Sequence, residues 1–142
     1  MYDWLLFLHV LSAAVLVGAL AYFWALVLAT RPGRALFGGV TSLRMARPAS
    51  VAVGIGFVGT FIFGVWLAIY LDEYQPWDGW IIASLVGWAI GGAAGERSGR
   101  ALTPVGDEYP SPATRRRGVL LHAVASLAAV VVLVLMIWKP GA

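Results

Sequence analysis

The sequence predicts an all-α membrane protein: four transmembrane helices in an up-down-up-down antiparallel bundle, with both termini on the outer side. Three observations predict it. The 142-residue chain is 61% hydrophobic and 12% charged, against roughly 45–50% and about 25% in soluble domains. A soluble domain of this size leaves too much of its surface exposed to hide so apolar a composition. Four stretches are long enough, or nearly so, to cross a ~30 Å hydrocarbon core as helix, which takes about 20 residues. The basic residues, finally, fall in alternate connections between those stretches. The length suits one domain, 1–142.

The first stretch runs from Trp4 to Ala29. Its leader, "MYDW", carries an acid where a cleavable signal carries basic residues, and its apolar run exceeds a signal's hydrophobic region. It therefore reads as a span. The second runs from Val51 to Leu71. The third, Trp80 to Ala94, is the shortest, and reaches adequate length as 80–99 if the helix continues through Gly95 toward Arg100. The fourth runs from Val119 to Trp138, or 118–138 with Gly118 at the membrane entry.

Boundary residues agree. "WDGW" offers Asp78 as an N-cap for the third helix. "PSPATRRRG" offers Ser111 as N-cap and Pro112 at the first helical position, where a missing N–H costs nothing. Trp4, Trp77, Trp80 and Trp138, with Tyr2, Tyr70 and Tyr74, fall at one interface as an aromatic belt.

Connections one and three hold Arg31, Arg34, Arg44 and Arg47, then Arg97, Arg100, Arg115, Arg116 and Arg117. Connection two holds only the acids Asp72, Glu73 and Asp78. Positive charge marks the cytoplasmic side, so loops one and three face inward. That role accounts for the net charge of +3 and leaves no case for nucleic-acid binding. Within loop one, Leu36, Phe37, Val40 and Leu43 with Arg34, Arg44 and Arg47 suggest a short interfacial helix, against which Gly38 and Gly39 count. The Ala/Gly/Val-rich, arginine-rich usage fits a bacterial plasma membrane protein.

The middle helices carry a second pattern. Ala52, Gly56, Thr60, Gly64 and Ala68 recur every four residues in span two; Ala83, Gly87, Gly91, Gly95 and Gly99 do so in span three. Small-residue stripes let backbones approach closely where lipid removes the hydrophobic drive between helices. The same stripes could instead leave room for a flat ligand or a lipid tail.

The chain has no cysteine, which removes disulfides, thiolate metal sites and covalently attached haem. No carboxylate lies mid-span, which counts against ion-coupled transport. The phosphate-loop, dinucleotide, serine-elbow and zinc-helix motifs are missing too. The strongly polar residues within spans are His9, His122, Ser12, Thr60, Ser84 and Ser126. His9 lies roughly 7 Å inside the outer interface at 1.5 Å per residue, and His122 a few residues inside the inner one. That separation opposes a shared haem. Met136 lies at about the depth of His9, and His/Met ligation suits haem b or copper; methionine also fills packing gaps. His9 faces Ser12 and Ala13. It reads either as a histidine bonded to a neighbouring helix or as a ligand to a cofactor.

At "LHVLSAAVLVGAL" the sequence resembles the first helix of the CopD-like bacterial membrane proteins, in which a histidine precedes small residues, a bulky residue at +7 and glycine at +9. Here these are His9, Ala13, Ala14, Leu16 and Gly18; the family's usual tryptophan is Leu16 and its second glycine Ala19. The ending "LVLMIWKPGA" more closely resembles the integral membrane family known as domain of unknown function 2269, whose last helix closes on a Met…Lys-Pro signature, matched by Met136, Lys139 and Pro140. The resemblance implies a four-span plan over the whole chain and no settled activity. Its relatives include copper-resistance proteins and HemJ-type protoporphyrinogen oxidases. The latter use a third-helix lysine that "WIIASLVGWAIGGAAG" lacks.

The expected function is a small non-enzymatic membrane subunit or binding protein, holding haem, quinone or lipid near His9. It would sit in the lipid bilayer and pack against a second copy or a larger membrane complex. The alternatives are a haem-dependent oxidoreductase and copper transport.

Overall fold

The computed structural model describes residues 1–29, 45–71, 77–103 and 110–140. They form four helices: α1 (Tyr2–Ala29), α2 (Ala46–Leu71), α3 (Gly79–Leu102) and α4 (Pro112–Trp138). The described residues contain no strand. Helices α1, α2 and α4 are long and apolar enough to cross a membrane. Helix α3 does not meet that standard, because its apolar run stops at Ala94 and its last turns carry Glu96, Arg97 and Arg100. Apolar side chains stand exposed around the bundle, among them Ile55 at 65%, Ile69 at 73% and Leu127 at 65%. Helices apolar on every side require an apolar solvent, and the bilayer supplies it.

The helix ends follow the boundary chemistry closely. Ser111 caps α4 by accepting from Thr114 N–H at 3.2 Å, with Pro112 in the first turn. Asp78 occupies the N-cap of α3 but works through its backbone: its carbonyl accepts from Ile81 and Ile82 N–H at 2.9 and 3.1 Å. Helix α2 begins five residues before the expected span, so Arg47 belongs to its first turn and not to an interfacial helix in loop one. The remainder of that expected helix lies outside the described residues, as do Asp72, Glu73 and Tyr74.

The bundle is two helical hairpins. Helix α1 packs closely on α2 and α3 on α4, while contact between the pairs is sparse. Both pairs use their glycines to close up. A Cβ placed on Gly56 would stand 2.6 Å from Leu16 N and 2.9 Å from Ser12 O. Gly87, Gly91 and Gly95 face Val132, Ala128 and Ala125 in turn, an antiparallel register. Gly56 and Gly64 thus face α1, and Gly87, Gly91 and Gly95 face α4, whereas Gly99 of the α3 stripe faces Ser50 of α2.

The hairpins meet at two places. At the end where α1 stops and α4 starts, Phe23, Val27, Ala46, Ala49 and Leu102 make a buried cluster drawn from three helices, and Val119 of α4 packs on it. Midway along, Phe57 and Phe61 of α2 stack on Trp88 of α3, with ring centroids 4.1 and 4.3 Å apart. Gly92 permits this, because a Cβ there would lie 2.5 Å from Phe57 Cζ. Beside the cluster, His122, Ser126 and Arg115 of α4 also bond to Leu20, Trp24 and Val27 of α1.

Candidate functional site

The gap between the hairpins is a cleft of about 990 Å³, lined by all four helices. That places it at the top of the roughly 300–1,000 Å³ range of small-molecule sites. Its walls are mostly apolar: Leu16, Val53, Phe57, Trp88, Ala129 and Val132 contribute. Three of the hydroxyls on its walls are already engaged. Ser50 Oγ donates to Ala46 O at 2.9 Å, Thr60 Oγ1 to Gly56 O at 2.6 Å, and Ser98 Oγ to Gly118 O at 2.9 Å. Each is thereby turned toward backbone, whereas the Nε1–H of Trp88 on the same wall is buried without a partner. The charged lining residues, Arg47, Glu96 and Arg100, come from the first turn of α2 and the last turns of α3.

Gly54 lines the cleft, and a Cβ at that position would meet nothing within 4 Å. It is open space on a helix whose other glycines are crowded. Gly87, Gly91 and Gly95 also line the cleft while packing on α4, so the α3 stripe both closes a hairpin and keeps the cleft wall low.

The two histidines sit at different helix contacts. His9 belongs to the α1–α2 contact: its Nδ1–H donates to Thr60 O at 3.0 Å, since a carbonyl can only accept. Its ring lies over Gly64, where a Cβ would be 2.9 Å from Cε1. Ser12, one turn on, fills the same contact, with its Oγ 2.5 Å from a Cβ built on Gly59. His9 is not among the residues lining the cleft. His122 is, and it belongs to the α1–α4 contact: Nε2–H donates to Leu20 O at 3.2 Å. The ring is 3% exposed, with Phe23 and Trp24 at centroid distances of 4.8 and 4.9 Å. Trp24 Nε1–H donates to Ser126 Oγ at 3.0 Å, and Ser126 Oγ–H to His122 O at 2.8 Å. Arg115 extends this line of bonds by donating to Val27 O at 2.9 Å.

Leu20 lies eleven residues beyond His9 on α1, so the histidines differ in height by roughly 16 Å. Two nitrogens on one iron need to be only a few ångströms apart. Met136 sits near the far end of α4 and is 37% exposed, beyond the Leu20–Val27 and Arg115–Ser126 segments that join α1 to α4. An axial haem ligand needs open approach to its unbonded ring nitrogen. His122, the one histidine of the cleft wall, is sealed between two aromatic rings, so the cleft lining does not fit a histidine-ligated haem. Among the described residues no group of three His, Asp or Glu side chains comes together to hold a metal ion.

Gly54, Phe57, Trp88, Arg47 and Arg100 stand out only in three dimensions. Gly54 lies off the four-residue stripe, and the two arginines read as topology signals. Their shared address in one cleft follows from the spread of the hairpins. Comparison with known families, characterised proteins and solved structures finds no match to this chain.

Proposed function

We propose that this is a small non-enzymatic membrane protein that holds the apolar chain of a lipid-like molecule between its two hairpins. The observation that carries the reading is the cleft itself, about 990 Å³ with mostly apolar walls on which the Ser50, Thr60 and Ser98 hydroxyls are already bonded to carbonyls. An interior mostly of hydrocarbon, with the unpartnered Trp88 Nε1–H on its wall, disfavours a compact polar substrate and suits a hydrocarbon tail or the isoprenoid of a quinone. The site thus moves from the neighbourhood of His9 to the centre of the bundle.

In this reading all four helices cross the membrane. Helix α3 pairs with α4 from Gly87–Val132 through to Leu102–Gly118, so it spans the depth that α4 spans, with its charged turns among the headgroups. Alternating directions bring Lys139, after α4, to within 5.9 Å of the Trp80 ring at the start of α3. Both chain termini then lie at the acidic-loop end, outside, and the arginines lie inside. A periplasm-active reporter fused after Ala142 is expected to be active, and a cytoplasm-active one silent; the reverse would overturn this orientation. The CopD-like resemblance suits the plan, since it carries a four-span architecture without a fixed activity.

The cleft is tested with Gly54→Phe, at a lining position where an added Cβ meets nothing within 4 Å. Wild-type protein purified in mild detergent is expected to carry lipid detectable by mass spectrometry after extraction, and Gly54→Phe to lose most of it. Equal lipid in both would sink the reading. A lipid-free wild type that runs as a dimer, made monomeric by Gly54→Phe, would assign the cleft to a second copy. A Soret band lost in His9→Ala would restore haem.

A further inference from the structure

We propose that the cleft selects an anionic lipid, with Arg47 and Arg100 holding the headgroup phosphate while the chain lies inward. This rests on the chain-binding reading above and adds headgroup chemistry to it. Nine arginines are present, yet among the described residues only Arg47 and Arg100 line the cleft. They come from neighbouring helices and flank a contact of α2 with α3 at this end. There, Ser50 Oγ lies 3.5 Å from a Cβ built on Gly99, one turn from Arg47 and one residue from Arg100. Both arginines are exposed at the rim. A lipid whose chain fills the apolar interior must put its headgroup there.

Charge decides which headgroup. Glu96 pairs with Arg100 one turn away on α3, so the three rim charges leave the mouth net positive. A zwitterionic headgroup gains little from a net charge, whereas an anionic one gains its full attraction. Arginine also offers a planar fork of donors that matches phosphate oxygens. Glu96 holds the Arg100 fork near the rim at the same time as it trims the charge. Among the described residues, Arg97 Nη1 donates to Ala93 O at 3.1 Å and Arg115 reaches Val27 O. Arg116 is exposed on the first turns of α4, away from the cleft lining.

The test is a competition between two lipids with identical chains, phosphatidylglycerol and phosphatidylcholine. Delipidated wild-type protein is incubated with an equal mixture in detergent, and the bound ratio is read by native mass spectrometry. A single arginine near a membrane surface favours an anionic lipid by about fivefold, so wild type is expected to retain phosphatidylglycerol over phosphatidylcholine by that factor or more. Arg47→Gln/Arg100→Gln is expected to keep bound lipid but to bring the ratio to one or below, because Glu96 then stands alone. Arg116→Gln is expected to leave the ratio unchanged. A double variant with the wild-type ratio, or an Arg116→Gln effect of equal size, overturns the proposal. If wild type retains both lipids equally, headgroup selection fails and chain binding stands. If it retains neither, chain binding itself has failed.

Discussion

Gly56→Leu is expected to stop the α1–α2 hairpin from closing, and Gly56→Ala to cost about 3 kcal/mol or more. Overpacking a well-packed contact costs typically about 1–3 kcal/mol when side chains can shift. Here the obstacles are backbone atoms: Leu16 N at 2.6 Å, Leu16 Cα at 2.9 Å and Ser12 O at 2.9 Å from the added Cβ. Neither helix can yield locally, so the whole interface must open and lose the dispersion contacts that hold helices together in lipid. The control is Gly18→Ala. A Cβ there meets nothing within 4 Å, and alanine in a helix is favoured over glycine by up to about 1 kcal/mol. Unfolding by a denaturing detergent, followed by circular dichroism, should therefore separate the two substitutions in sign. Equal stability of Gly56→Ala and Gly18→Ala would show that α1 and α2 do not meet at this register.

His122→Ala should cost roughly 2–4 kcal/mol, and more than His9→Ala. The estimate follows large-to-small substitutions at sites as enclosed as this one, 3% exposed between Phe23 and Trp24. Hydrogen bonds between membrane helices average only about 0.6 kcal/mol, so the bond to Leu20 O is the smaller part and ring packing the larger. His122→Phe separates the two: it keeps a ring in the slot and removes the bond, and should cost about 1 kcal/mol. Leu20 O keeps its own helical partner in that variant, so no buried acceptor is orphaned. His9 is half-buried, with one face against Gly64, and has less packing to lose. The same unfolding measurement ranks the three variants, and a His9→Ala cost above that of His122→Ala would contradict the assigned packing.

The helices were legible because the properties that define them are local. Proline at 112 after Ser111 starts a helix wherever the chain goes next, and the structure places the α4 N-terminus there. An apolar run of helical length needs no partner to declare itself, which is why α1, α2 and α4 appear close to their expected bounds. The third helix was harder, because glycine-rich, partly charged sequence is apolar only along part of its length and its burial depends on α4. The four-residue stripes were legible as contact surfaces, since the spacing puts Gly56, Thr60 and Gly64 on one face. Which helix each stripe would meet was not.

The sequence by itself determined the helical class, the apolar environment, the start of α4 at Ser111–Pro112 and the faces along which backbones could approach, because composition and periodicity act residue by residue. Only the tertiary structure decided that α1 pairs with α2 and α3 with α4, leaving a cleft between. It alone turned His9 onto Thr60 and His122 onto Leu20, and gathered Arg47 and Arg100 at one rim. The physical reason is that lipid removes the pressure to bury apolar surface. Helix pairing is then set by where backbones fit closest, and that fit is a property of two surfaces together.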